Sequence, residues 1–363
     1  MILSGHFYVQ EHALILGRPI HEEDHRVPRY EAFTLPLNSR CRRHMQLIYH
    51  SDFLAHDTGG HPERKERLHA FRDLPDAALP DVEDWLLLVH EPAYIDQVRK
   101  SVASGHWLDP ETPISSGSWK AAIAAVAATR LAMETGGFAL ARPPGHHAYP
   151  GHCSGFCIFN NVAIAAQYLV RQGKRVLIFD FDGHLGDGTS RIFSTTDQVM
   201  YWSIHQYPAF PGHGFIDEIG EGKGKGYTLN SPLPPGSGDD IFWSAFDHLL
   251  PLARQFKPDV VALSAGFDGY QYDPLLELRY SLDMFYQLGI RLTAEFPNTF
   301  ATLEGGYNLQ ALPKCIFNFL AGMDGLEAPY QEEPTVSGRS VWERFEANLY
   351  AGLHYLEPYW TIR

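Results

Sequence analysis

The chain has 363 residues, 45% of them hydrophobic and 20% charged, enough for one large α/β domain or two ordinary ones with an ample core. A formal charge of −14 argues against nucleic acid as a partner, since phosphate binding needs basic patches, and is compatible with cationic substrates. Four cysteines make no disulfide framework, and Cys153 and Cys157 without a second pair do not read as a structural zinc knuckle.

In chain order, the first 25 residues carry no basic n-region, and their "ALILG" run is too short for a signal core. No later run approaches a membrane-spanning length. The expectation is a soluble cytoplasmic protein with no membrane partner. Five apolar runs then read as strands: residues 137–142 ("GFALAR"), 175–180 ("RVLIFD"), 198–204 ("QVMYWSI"), 259–264 ("DVVALS") and 298–303 ("NTFATL"). Residues 119–134, 161–171 and 240–256 have helical character between them. Strands that are apolar throughout and alternate with helices predict a mainly parallel sheet covered on both faces, a three-layer α/β/α domain. Ligands bind such sheets beyond the carboxyl ends of the strands.

The residues that follow each strand carry the chemistry. After the first comes "PPGHHAYPGHCSGFC" with His146 and His147. The second is followed by Asp182, His184 and Asp187, the fourth by "AGFDGYQYDP" with Asp268, and the fifth by "EGGYNL" with Tyr307. If all strands run parallel, these groups converge on one edge.

The stretch "FDFDGHLGDGT" admits two readings. As a haloacid-dehalogenase-type phosphatase motif, Asp180 is the nucleophile and Asp182 the acid. That reading needs Thr or Ser where His184 stands, and it leaves His146, His147 and Tyr307 without a role. As a metal motif, Asp182, His184 and Asp268 supply two carboxylates and one imidazole. These would neutralise a divalent cation and leave positions open for water and substrate, as at a catalytic zinc, although ferrous iron suits the same donors. His146 and His147 can take and return a proton near neutral pH. Tyr307 can donate a hydrogen bond to a developing oxyanion. Together they read as metal-assisted amide hydrolysis.

Each piece also has a structural reading. Asp268 could cap a helix, "LEGGYN" could be a plain turn, and Phe156 and Tyr207 could be core aromatics. "GEGKGKG" at 220–226 lacks the GK[ST] ending of a phosphate loop and reads as a flexible loop.

In order, "RPPGHHA", "GFCIFNNVAIAA", "DFDGHLGDGT", "SAGFDGYQYDP" and "LEGGYN" resemble the histone deacetylase family, which includes acetylpolyamine amidohydrolases and shares the arginase–deacetylase fold. "HDTGGHPERKERL" at 56–68 is similar to the opening segment of its class II branch. The resemblance covers about residues 47–325. Residues 1–46 and the C-terminal segment are not carried by it; the expected organisation is a catalytic domain at 47–363 that includes a C-terminal helical segment, preceded by an extension at 1–46.

The resemblance implies zinc on Asp182, His184 and Asp268, His147 as general base backed by Asp187, His146 backed by Asp180, and Tyr307 polarising the acyl carbonyl. Gly155, Phe156 and Tyr207 would line the acyl-lysine channel, with Glu111 anchoring the substrate. A structural potassium ion would sit on Asp180, Asp182, His184, Ser203 and Ile204, and a second on Phe193, Thr196, Val199 and Tyr227. The implied substrates are acetylated lysine in a protein or peptide, or an acetylated polyamine. An inactive acyl-lysine binding module would lack a ligand, a tandem histidine or the tyrosine, and none is missing. The chain departs from the family at Gly183, usually aliphatic, at Leu185, usually histidine, and at Tyr270. Leu275 stands where the animal polyamine enzymes carry a glutamate gatekeeper, which favours an acyl-lysine side chain.

Overall fold

The run "VLIFD" meets no polar residue before Asp180, so as a strand it can expose neither face. In the computed structural model, which describes residues 44–362, it is strand β3 (Val176–Asp180), buried along its whole length. Six other strands join it: β1 (Leu47–Ile48), β2 (Phe138–Ala139), β4 (Val199–Gln206), β5 (Thr228–Leu233), β6 (Val260–Ala265) and β7 (Thr299–Leu303). They form one sheet in the order β1-β2-β7-β6-β3-β4-β5, and every pairing is parallel. Strands buried on both faces require a layer on each side, which the helices provide. These are α1 (Pro92–Ser104), α2 (Ser118–Thr135), α3 (Asn161–Arg171), α4 (Asp187–Phe193), α5 (Asp239–Phe256), α6 (Leu282–Glu295), α7 (Leu312–Asp324) and α8 (Arg339–Leu356). No helix among the described residues is long and apolar enough to cross a membrane.

The five expected strands and three expected helices are present: the helix at 161–171 has the expected bounds, and each of the others is shifted at one end or both. The strand expected at 137–142 keeps two paired residues. Its extension is spent on single bonds such as Leu140 N–H to the Ile48 carbonyl (2.9 Å), and Pro143 has no N–H to continue the ladder. β5 was not expected because Pro232 interrupts its sequence. It lies on the edge of the sheet and pairs with β4 alone, where a missing donor is tolerated. The expected C-terminal helical segment is α8, which buries Phe345, Leu349 and Leu353. The expected loop at 220–226 contains a short 3₁₀ turn, Gly222–Gly224. Of the extension expected at 1–46, residues 1–43 lie outside the described residues.

The topology decides where the chemistry gathers. β7, β6 and β3 are neighbours in register, with Ala265 beside Leu303 and Asp180 beside Ser264. The segments leaving their carboxyl ends therefore emerge side by side.

Candidate metal centre and active site

Just past β3 the chain makes a tight turn closed by its own carboxylates. Asp180 Oδ1 accepts the Asp182 N–H (3.2 Å), and Asp182 Oδ1 accepts the His184 N–H (2.8 Å). The segment after β6 joins this turn, where Asp268 Oδ1 accepts the Gly183 N–H (2.7 Å). The segment after β7 joins it too, where Asp182 Oδ2 accepts the Gly305 N–H (2.7 Å). A side chain at Gly305 would overlap both carboxylates, so only glycine permits this approach. Asp268 serves the turn and caps no helix, since α6 begins at Leu282 with Ser281 as its cap.

The result is a set of donors. His184 Nδ1 lies 2.8 Å from Asp268 Oδ2 and 3.3 Å from Asp182 Oδ1, and ligand atoms of the three residues lie within 4.8 Å of one another. Both carboxylates are 0% exposed. Burial, then the Asp182 charge, pushes the Asp268 pKa up. Two carboxylates this close in a dry site repel unless positive charge lies between them. A divalent cation fits this set, and the N/O donors suit zinc or ferrous iron.

The tandem histidines stand beside this cluster with ring centroids 4.0 Å apart. His146 Nδ1 meets Asp180 Oδ2 (3.1 Å), which also accepts the Tyr201 hydroxyl (2.9 Å). His147 Nδ1 meets Asp187 Oδ1 (2.7 Å), whose other oxygen accepts the Tyr149 hydroxyl (2.9 Å). The two imidazoles differ in charge. Burial opposes protonation of His146, but Asp182, Asp180 and Glu304 override it and raise its pKa well above the ordinary value. Burial and the neighbouring His146 hold His147 down at about 4 despite Asp187. With Nδ1–H donated to Asp187, His147 presents an unprotonated Nε2.

Tyr307 is held from behind. Asp273 Oδ2 accepts the N–H groups of Tyr307 (2.6 Å) and Asn308 (3.1 Å). Arg67 lies over its ring at 5.0 Å and donates to the carbonyls of Gly306 (2.7 Å) and Glu304 (2.5 Å). Burial keeps the phenol protonated, its pKa raised well above 10 despite Arg67. Glu304 supports the histidines, accepting the N–H groups of Gly145 (2.6 Å) and His146 (3.1 Å) and the Ser264 hydroxyl (3.0 Å).

Phe156 packs edge-on against Tyr307, centroids 5.8 Å apart, from a backbone at φ +69°. A phenylalanine held there costs about 1–3 kcal/mol and requires the surroundings to enforce it. Gly155 presses against His147, where a side chain would overlap the ring. The two aromatics after β4 sit differently. Tyr207 packs on Phe215 (5.1 Å), and it is Phe210 that faces His147 (5.1 Å) and His184 (6.5 Å). Phe210 is 41% exposed and Leu275 37%, and the Leu275 N–H is held by Asp273 Oδ1 (3.1 Å). Glu111 is exposed on a loop with its N–H on Asp109 (2.8 Å), and none of its hydrogen bonds or ion pairs joins these groups.

Of the residues expected to hold potassium, Asp180 pairs with Ser203 across β3 and β4, and Ser203 Oγ bonds His205 Nδ1 (2.9 Å). At the second set, the Phe193 carbonyl accepts the Thr196 N–H (3.2 Å), and the Tyr227 carbonyl accepts the Tyr201 N–H (2.9 Å). Sequence reasoning gave no role to Arg67, Tyr149, Tyr201, Phe210, Asp273 or Glu304. All but Phe210 lie inside quoted stretches, but they act through contacts that no local pattern displays.

Buried carboxylates around an imidazole, a proton-accepting histidine and a phenol without a hydrogen-bond partner among the described residues, all on one sheet edge, are a set that can support hydrolysis. Residues 61–323 match the histone deacetylase domain. The chain is 34% identical over 341 residues to a probable deacetylase of Archaeoglobus fulgidus, covering 86% of this chain and 95% of that protein. It is 38% identical over 262 residues to the acetylpolyamine amidohydrolase of Burkholderia pseudomallei, covering 67% and 76%. The crystal structure of the HDA15 HD domain superposes with a TM-score of 0.77 at 28% identity, covering 86% of this chain and 95% of that one. The chain belongs to the histone deacetylase family, has the arginase–deacetylase fold, and is a hydrolase acting on amide bonds.

Proposed function

We propose that the protein removes acetyl or other short acyl groups from lysine side chains with zinc as its metal. The supporting observation is the gathering of Asp182, His184 and Asp268, with ligand atoms within 4.8 Å, beside a neutral His147. A divalent cation held by these three residues would supply Lewis-acid polarisation of the acyl carbonyl and a more acidic water.

The rest falls to the chain. Tyr307, whose hydroxyl has no hydrogen-bond partner among the described residues, donates to the carbonyl oxygen as negative charge develops there. His147 takes the proton of the attacking water at Nε2, while Asp187 holds its Nδ1–H and fixes the ring (2.7 Å). His146, charged between Asp180 and Asp182, offsets the developing negative charge. A protonated imidazole then returns a proton to the departing amine. The products are acetate and the free amine. Phe156 and Phe210 form apolar walls that suit the aliphatic part of a lysine side chain. Leu275, its N–H on the Asp273 carboxylate that also holds Tyr307, offers no carboxylate to a free polyamine.

A comparative assay on one zinc-loaded preparation tests the reading. Acetyl-lysine peptide is expected to give the higher kcat/KM against N-acetylated polyamines. A preference for the polyamine would transfer the assignment to the acetylpolyamine amidohydrolases, for which the Burkholderia relative is named.

A further inference from the structure

Gly183 stands between two of the three candidate ligands, Asp182 and His184. Its peptide is held at both ends, the N–H on Asp268 Oδ1 (2.7 Å) and the carbonyl by the Gln206 N–H (2.8 Å). Its Cα face is covered by Leu276. A Cβ built at 183 would overlap Leu276 Cδ1 and lie 3.0 Å from Asp268 Oδ1. The backbone is no obstacle to a side chain there, because Gly183 is not among the glycines at positive φ. The neighbour is the obstacle.

Leu276 is in turn fixed by the same glutamine. Gln206 Oε1 accepts the Glu277 N–H (2.8 Å), and the Glu277 carbonyl accepts the Gly236 N–H (2.9 Å). Gln206, 6% exposed at the end of β4, therefore ties the ligand turn and the Leu276 segment to one strand end. Leu276 is half-buried and packs on the main core. A turn with no side chain of its own has been given one from 93 positions further along the chain.

We infer that Leu276 is a positioning residue for the metal-ligand turn: clamped by Gln206, it fills the volume that a side chain at 183 would occupy and fixes Asp182 and His184 relative to Asp268. A side chain at 183 and Leu276 in its present position cannot both be present, so one must shift, and groups that orient ligands affect metal affinity as well as stability. The metal part of this inference rests on the proposed function; the packing part does not.

The test is a cycle of Gly183→Ala, Leu276→Ala and the double variant, read by Zn2+ affinity in chelator competition and by the melting temperature of the metal-free protein. Gly183→Ala is expected to raise the Kd for Zn2+ about 10-fold or more and Leu276→Ala by a smaller factor, with the double variant closer to wild type than the product of the two. Unchanged Kd in both single variants, or effects that multiply in the double, would overturn it. If the wild-type protein binds no Zn2+, the proposed function fails. The pair is then judged by melting temperature, where a non-additive double variant supports the brace and an additive one removes it.

Discussion

At the floor of the site nearly every polar atom has a named partner: Asp182 accepts from His184 and Gly305, Asp268 from Gly183, Asp180 from Tyr201, and Glu304 from three donors. At the mouth, Phe210 and Leu275 are 41% and 37% exposed, held by ring contacts and a backbone bond. The contrast assigns different work to the two regions. A floor whose buried groups are mutually satisfied fixes what reaction is possible, because removing one member leaves the others unpaired. A mouth of exposed rings can change without disturbing that network, and there selection among substrates is cheapest to alter.

The sharpest way to break this division is at the floor. Asp268→Ala is expected to abolish Zn2+ binding, and with it detectable turnover. Metal analysis of purified protein that still shows one equivalent would end the ligand assignment. Tyr307→Phe keeps the ring against Phe156 and Arg67 but removes the donor. It should lower kcat roughly 10²–10³-fold with Zn2+ content unchanged, and full activity would remove the tyrosine from the chemistry.

The third test uses pH against the layer under the floor. His90 is buried, its Nδ1 on the Tyr149 carbonyl (3.0 Å), and its Nε2 accepts the Asn160 N–H (2.9 Å), while Asn160 in turn holds the His146 and Ala148 carbonyls. Burial lowers its pKa to about 4. Its folded pKa lies below the unfolded value near 6.5, so its contribution is complete above that value and is lost as pH falls toward 4. Unfolding free energy should drop by about 2 kcal/mol from this residue alone between pH 7 and 5. Denaturant titrations of His90→Gln should show a shallower loss over that window, and an identical pH dependence would refute it. The smallest effect belongs to the mouth. Phe210→Ala should raise KM for an acetyl-lysine peptide several-fold with kcat nearly kept, as loss of uniform binding predicts. A collapse of kcat instead would make Phe210 part of the floor.

What the sequence disclosed follows the same line. Strands apolar from end to end, such as "VLIFD" and "DVVALS", declare a sheet buried on both sides, and polar residues just past their ends declare the working edge. The pieces that escaped depend on tertiary context. β5 hides behind Pro232, which only an edge position excuses. "QYPAFPG" offers two aromatics and the loop's path decides that Phe210 faces His147 while Tyr207 packs on Phe215. Gly183 leaves the ligand turn without a side chain, and Leu276, distant in the chain, fills the space. The support of Tyr307 by Arg67 and Asp273 joins segments that no window of sequence spans.

The parallel order β7-β6-β3 has a kinetic consequence. His184 and Asp268 are 84 residues apart in the chain, and Gly305 lies 123 from Asp182. Closing such loops is slow, and none of these groups can meet before the central crossovers are complete. An ion recruited by all three ligands would therefore act late, slowing the finished molecule's opening more than hastening its assembly, so chelation should be felt as faster unfolding with refolding rates almost unmoved.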